Sequence, residues 1–399
     1  MNIFKRIYCR SFQFVMKVAI PFLPYRIPKV LNQLEEIVPL LQTKKIRRIC
    51  IVTDQGIQKN HLLDSFLDVL DENNVDYHIY DKTIPNPTIE QVEEARELYL
   101  QNHCQGIVAV GGGSPMDLAK AMGARIVRPK KSVQKMKGLL HIRKKLPLLI
   151  AVPTTAGTGS ETTLASVIVD SSTHHKYPIN DFSLIPHYAV LDYRLTLTLP
   201  AQITSTTGMD ALTHAVEAFI GKSRTPQTKR MSIEAVRLIY KHLKNCYDNP
   251  QSSEDRKGML YAAHYAGIAF TKSYVGYIHA IAHSLGGQYH VPHGLANAII
   301  LPIFLEEYGH KVYKRLSILA KTSGIADEKD SKEVAAKKFI AWIYEMNAYM
   351  NIPKKVSGIQ EEDIDKMAQY ANQEGNPLYP VPVLMDKKQL KKMYYKVME

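Results

Sequence analysis

Five short apolar runs, separated by helix-like stretches through the first half of the chain, constrain the fold more than any other feature. Ile49 to Thr53, Tyr77 to Tyr80, Gly106 to Val110, Leu148 to Val152 and Ala189 to Asp192 read as strands. Between them, His61 to Asn73 and Thr88 to Asn102 carry helical patterns, the second with Glu90, Glu93 and Glu94 near its start, where the helix dipole favours acids. Strands alternating with helices predict an α/β layer. After about Pro200 the strand signals fade, and long helical patterns run from Gly208 to Ile220 and from Thr228 to Cys246. This places a domain boundary near Leu199, with residues 1–199 as an N-terminal α/β domain carrying a basic extension over 1–28, and 200–399 as an all-helical domain. A length of 399 residues suits two domains at about 150 residues each.

Composition excludes several classes. Hydrophobic residues make up 45% and charged ones 22%, which rules out a disordered, collagen-like or polytopic membrane chain. Cys9, Cys50, Cys104 and Cys246 are scattered without a CxxC pair, predicting neither a disulfide framework nor a thiolate metal site and suiting a reducing cytoplasm. The net charge of +13 is concentrated: ten basic against two acidic residues from Met1 to Arg48, and eight basic residues with no acid from Arg128 to Lys145. Lys5, Arg6 and Arg10 precede the apolar run Ser11 to Leu23, as in a signal peptide. Lys17 interrupts that run, Pro21 and Pro24 end it, and no small-residue cleavage site follows. It is also shorter than the roughly 20 residues of a spanning helix. The expectation is an extension packed on its own domain or on a partner subunit; weak association of an amphipathic helix with an anionic membrane surface is the alternative. Specific nucleic-acid recognition is not expected.

Two turns carry the signals for a nucleotide. Gly111-Gly112-Gly113-Ser114-Pro115-Met116-Asp117 follows an apolar strand and leads into a helix-like stretch. Glycines let an anion approach the backbone, and the free N–H groups of the next helix then face it. The run does not fit GxGxxG, since Met116 stands at the sixth position. Pro153 to Thr162, rich in threonine and glycine, follows another strand, and open α/β sheets bind ligands beyond the carboxyl ends of strands. Asp54, just past the first of the five strands, is placed to accept hydrogen bonds from a ribose hydroxyl and to repel a 2′-phosphate. Structural turns and caps explain any one of these features taken alone.

The metal signal is stronger. Asp210 and His214 are four apart on a helical pattern, so both project from one face. His279, His283, His290 and His293 crowd into fifteen residues. Imidazole with carboxylate and no nearby cysteine suits a divalent transition ion such as iron(II) or zinc. Periodicity alone selects Asp210, His214, His279 and His283, two i,i+4 pairs, and cannot place His290 or His293.

Gly111 to Lys120, Pro153 to Glu161, Gly208 to Glu217 and Gly276 to Gly294, in that order and with an echo at Asn376 to Pro380, resemble the iron-dependent (group III) alcohol dehydrogenases. The likeness runs from about Ile46 to Pro302. It implies a dehydroquinate-synthase-like architecture: an N-terminal nucleotide-binding α/β domain, an all-α C-terminal domain, an active site in the cleft between them, and commonly a homodimer. It further implies metal ligation by Asp210, His214, His279 and His293, leaving His283 beside the nicotinamide as the proton-transfer group. Gly112, Gly113, Ser114 and Asp117 are implied to hold the cofactor's pyrophosphate and nearby ribose, Thr154, Thr155 and Thr158 its adenosine side, and Asn86 and Lys176 to add contacts. Asp54 matches the acid often found in members that prefer NAD. The chain departs from the pattern in its long N-terminus, in the basic block up to Lys145, and in Thr162, where valine is frequent.

The expected activity is therefore reversible hydride transfer between a primary or secondary alcohol and NAD, with iron(II), or zinc, as Lewis acid, and a small alcohol, aldehyde or ketone as substrate. A zinc-dependent polyol dehydrogenase or a metal-dependent cyclase of the same architecture, and a membrane-surface protein without catalysis, are the competing readings. The last leaves the aligned Asp and His residues without a purpose.

Overall fold

The structure, a computed structural model, describes every residue except His174 and, of His175, the backbone alone. Its contacts gather into two compact units, Pro24–Leu197 and Met1–Leu23 together with Thr198–Glu399.

In the first unit six strands form one wholly parallel sheet, in the order Lys29–Leu31, Tyr188–Val190, Leu148–Pro153, Gly106–Gly111, Arg48–Val52, Asp76–Tyr80. Successive residues of a strand point to opposite faces. Cys50, Val52, Ile107, Ala109 and Leu149 enter one core with Val92 and Met122. Ile49, Ile51, Val108, Val110 and Ile150 enter the other with Ile37, Leu41 and Phe66. Burial on both faces explains why these strands read as unbroken apolar runs rather than as alternations. The chain runs from Arg48–Val52 out to Asp76–Tyr80, then returns to add Gly106–Gly111 on the other side. That reversal is a topological switch point, where such sheets open a crevice for ligands. Asp54 and the glycine turn lie just past the carboxyl ends of the two strands that flank it.

All five expected strands are present. Sequence reading missed four others: Lys29–Leu31, and the three-stranded sheet of Gly138–Leu139, His175–Asn180 and Ala165–Asp170. The helix expected over His61 to Asn73 is present as Asp64–Glu72, its start set back by His61, which has a φ of 56°, and a short helix before it, Gln55–Lys59, was not expected. Thr88 caps Ile89–Gln101 in a reciprocal capping box with Gln91. The basic block from Arg128 to Lys145 is folded around buried Val133, Met136 and Ile142, and the Asp181 carboxylate accepts the Ile142 and Arg143 N–H groups.

The second unit is helical. Ala201–Ile220 lies at its centre, buried at every position from Gly208 onward. An apolar helix with no solvated face must find partners for any polar side chain it carries, and this one carries Asp210, His214 and Glu217. The N-terminal extension also belongs here, against its expected place in the α/β domain. It forms a helix, Ile3–Ala19. The Arg10 guanidinium donates to the Val381 and Pro382 carbonyls, and the Gln13 amide to those of Pro377 and Tyr379. Among the described residues no helix is long and apolar enough to cross a membrane.

Candidate metal centre and cofactor turn

The centre begins with the buried helix Ala201–Ile220, which sets Asp210 and His214 one turn apart. His279 comes from the helix Tyr277–Tyr289, and His293 is the first residue of the helix His293–Tyr308. One ligand atom from each of these four residues lies within 4.8 Å of the others. Asp210 Oδ1 is 3.9 Å from His279 Nε2 and 3.7 Å from His293 Nε2, and Asp210 Oδ2 is 3.9 Å from His214 Nδ1. Such separations are too long for hydrogen bonds and suit a shared cation with ligand distances of about 2.0–2.2 Å. His279 Nε2 is buried and has no hydrogen-bond partner among the described residues. A buried imidazole nitrogen in that position is what a metal ion satisfies, so the residues fit a divalent transition ion.

A second layer holds the first. Glu217 Oε2 lies 2.6 Å from His279 Nδ1, and Oε1 accepts the Ile278 N–H at 3.1 Å. An imidazole that ligates through Nε2 carries its proton on Nδ1 and donates it to such a carboxylate. Gly276 makes the approach possible, because a Cβ there would collide with Glu217 Oε1. Burial pushes the Glu217 carboxyl up to about 8. Burial, reinforced by the neighbouring His214, His293 and His283, holds His279 well below its usual range and so keeps it neutral. Asn297 donates to Asp210 Oδ1 at 2.7 Å and sits 3.1 Å from His293 Nε2.

His283 is the histidine that periodicity paired with His279. It is absent from the converging set. Its ring stacks on His293 at 5.1 Å between centroids, and its Nδ1 is 2.6 Å from Glu374 Oε1, which also accepts the Tyr379 hydroxyl at 2.7 Å. Burial alone raises a carboxyl, but the His283 charge and hydrogen bond, followed by Tyr379 and His293, bring Glu374 below its usual value. The four residues that converge are those the family resemblance implies, and the i,i+4 pattern would have placed His283 in the set instead of His293. His293 reaches the centre from a helix N-terminus, directly after Pro292. His290 ends the preceding helix in a left-handed conformation.

In the α/β unit, Gly111 has a φ of 149°, and a Cβ there would lie 2.6 Å from Pro115 Cγ, so only glycine fits. The Thr154 N–H donates to the Gly111 carbonyl at 3.0 Å, tying the two turns together. A Cβ at Gly112 would meet Thr155 Oγ1 at 3.6 Å, and one at Gly113 would meet Thr158 Cγ2 at 3.3 Å. The helix Gly113–Val127 starts here with no side-chain cap, which leaves its first N–H groups for an anion. Ser114 is half-buried at this start, and a Cβ on Gly111 would come 3.4 Å from Asp54 Oδ2. The cradle fits a nucleotide's pyrophosphate. Asp54 also caps Gln55–Lys59 by accepting the Ile57 N–H at 3.1 Å.

Asp117 is occupied within the fold: Oδ1 accepts the Ser160 hydroxyl at 2.9 Å and Oδ2 the Val167 N–H at 3.1 Å. Lys176 donates to Asn86 Oδ1 at 2.6 Å. Lys120, which sequence reasoning passed over, is fully buried and donates to Ser160 O and Oγ, Thr163 Oγ1 and Ala165 O at 2.7–2.9 Å. It ties the threonine-rich turn to the glycine helix.

Comparison with known proteins identifies the family. Residues 26–193 match the iron-containing alcohol dehydrogenase model, and 204–398 the model of the C-terminal part of the Fe-containing alcohol dehydrogenase family. The chain belongs to the iron-containing alcohol dehydrogenase family. It is 34% identical to the NAD-dependent methanol dehydrogenase of Bacillus methanolicus, over 82% of this chain and 86% of that one. It is 35% identical to the NADPH-dependent butanol dehydrogenase of Clostridium saccharobutylicum, over 81% and 84%. Among solved structures, a 1,3-propanediol oxidoreductase superposes with a TM-score of 0.89 at 32% identity, covering 94% of this chain and 99% of the other.

Proposed function

We infer that this protein is an NAD-dependent alcohol dehydrogenase that moves a hydride reversibly between a small primary or secondary alcohol and the nicotinamide. The observation that carries the reading is the convergence of Asp210, His214, His279 and His293 within 4.8 Å, with the His283–Glu374 pair beside them. Those four residues hold iron(II) or zinc, which when bound supplies Lewis-acid polarisation of the substrate oxygen, while the cofactor supplies the hydride chemistry.

The chain's own residues do the rest. Glu217 fixes the His279 ring, and Asn297 fixes Asp210. His283 takes the hydroxyl proton at Nε2, because its Nδ1 is engaged with Glu374 and Tyr379 steadies that carboxylate. In the reverse direction the same nitrogen returns the proton. Gly112, Gly113 and Ser114 receive the pyrophosphate, and Thr154, Thr155 and Thr158 line the adenosine side. Asn86 and Lys176 add contacts as a hydrogen-bonded pair, and Asp117 holds the turn. The Asp54 carboxylate favours a free ribose over a 2′-phosphate, which supports NAD rather than NADP.

The test is NADH formation over a panel of primary and secondary alcohols, using protein stripped with a chelator and reloaded with iron(II) or zinc. Metal-dependent turnover with NAD favoured over NADP is expected. Protein that binds metal yet turns over no alcohol, or one that favours NADP, would overturn the reading.

A further inference from the structure

The helix Ile3–Ala19 lies before residue 26, where the family match begins, so the family's shared site gives no account of it. It is held by one face. Cys9, Gln13 and Ile20 are buried, and Arg10 and Gln13 are hydrogen-bonded to the segment Pro377–Pro382. At about 100° per residue, Ile3, Phe4, Ile7, Tyr8, Phe14, Val15 and Val18 fall within an arc of roughly 140° on the opposite side. All seven are exposed, Phe4 at 80% and Phe14 at 66%, and Phe22 just beyond the helix is 85% exposed. The docked face prevents the stripe from turning inward. Ser11 is the one polar side chain within that arc, and an exposed stripe so largely apolar on a folded surface marks an interaction site.

Charge identifies the occupant. From Met1 to Leu34 the chain has Lys5, Arg6, Arg10, Lys17, Arg26 and Lys29 and no acidic residue. Lys5, Arg6 and Lys17 are exposed on the flanks of the stripe. A second copy would set the same patch against itself and oppose cation to cation with no carboxylate between them. An anionic lipid surface takes both features at once: acyl chains receive the apolar stripe, and headgroup phosphates pair with the flanking cations.

We propose that the helix Ile3–Ala19 seats this protein on anionic membrane surfaces, with Phe4, Ile7, Phe14 and Val18 entering the acyl boundary and Lys5, Arg6 and Lys17 meeting the headgroups. The association is peripheral, since one amphipathic helix spans nothing.

Flotation of the full chain with phosphatidylcholine vesicles, with and without about a third phosphatidylglycerol, tests this. The wild type should float with the anionic vesicles and be released at high salt as charges are screened. Phe4→Ser with Phe14→Ser should weaken binding by roughly a hundredfold, and Lys5→Glu, Arg6→Glu and Lys17→Glu together by at least about tenfold. These side chains touch neither the metal centre nor the glycine turn, so alcohol dehydrogenase activity in solution should match the wild type. Equal binding to neutral vesicles, binding unchanged in both variants, or no binding at all overturns the proposal. A lipid-free assembly of the wild type that the Phe4→Ser/Phe14→Ser protein loses, seen by light scattering, also overturns it and makes a second copy the occupant.

Discussion

The glycine turn and the candidate metal centre are each suited to hold charge, and they are made of opposite materials. From Gly111 to Ser114 the working parts are backbone N–H groups, and what matters is the absence of side chains. At the metal centre the working parts are four side chains from three helices, and two of them are held by a neighbour: His279 by Glu217 and Asp210 by Asn297. A backbone site is contiguous in sequence and fails when a Cβ is added. A side-chain site is dispersed and fails when a ligand or its orienting partner is removed. Substitutions in the two regions should therefore separate cleanly into cofactor and metal phenotypes.

The largest effects are expected within the metal centre, and they divide it again. His293→Ala should lose metal and activity together, measured as metal content of the purified protein and as turnover. His283→Ala should keep near-normal metal and lose about a hundredfold or more in turnover, the range of a general acid–base group. Full metal loss from folded His283→Ala protein, with metal retained in His293→Ala, would restore the i,i+4 ligand set.

That contrast also shows how far the sequence reaches. Burial on both faces left its mark as unbroken apolar runs, so the parallel sheet was readable. Lys29–Leu31 and Gly138–Leu139 were not, because two or three residues carry no period. Asp210 and His214 are an i,i+4 pair and could be read as one face. His293 could not be placed by spacing, since its partners come from other helices, and only family resemblance singled it out. Glu217 was within reach, lying three residues after His214 on the same buried helix, where an acid must be paired. Glu374 left no local signal, because its partner His283 comes from a distant helix. The N-terminal helix was assigned by chain position to the wrong domain, and what corrects it are hydrogen bonds to carbonyls near the other end of the chain.

Lys120→Met probes the backbone region through its one buried charge. Removing the ammonium takes a donor from four acceptors and leaves Asp117, which keeps its bonds from Ser160 and Val167, without the cation 3.9 Å away, at a cost of about 3–5 kcal/mol in denaturant unfolding. Burial lowers Lys120 to about 8. Between that value and the ordinary one of 10.5, the unfolded chain holds a proton that the folded chain has shed. Stability from this group therefore rises with pH across that window, and the wild type should gain on Lys120→Met by up to about 1.4 kcal/mol per pH unit. A difference that stays flat from pH 8 to 10 would mean that Lys120 remains charged throughout.

Glu217→Gln tests whether the metal centre depends on its second layer. The amide keeps the size of the carboxylate but replaces one of its two acceptor oxygens, which face the Ile278 N–H and His279 Nδ1, with an NH2 group, so the expected loss is about 10–100-fold in metal affinity, read by competition with a chelator. Affinity equal to the wild type would reduce Glu217 to a packing residue.

The smallest effect bears on the cofactor side, at Asp54, where two roles overlap. The carboxylate caps Gln55–Lys59 through the Ile57 N–H, and it stands beside the glycine turn, where a ribose hydroxyl would meet it. Asp54→Ala removes both roles, so a fall in NAD efficiency by itself is ambiguous: a lost cap costs about 1 kcal/mol of stability and can loosen the turn. Asp54→Asn separates them, because asparagine caps a helix as well as aspartate does and carries no charge to repel a 2′-phosphate. Asp54→Ala should weaken kcat/KM for NAD by about tenfold, the worth of one charged hydrogen bond, and improve NADP. Asp54→Asn should retain thermal stability and still shift the NAD to NADP ratio toward NADP. If the ratio moves only in Asp54→Ala, and moves there with the melting temperature, Asp54 is a cap and reads no ribose.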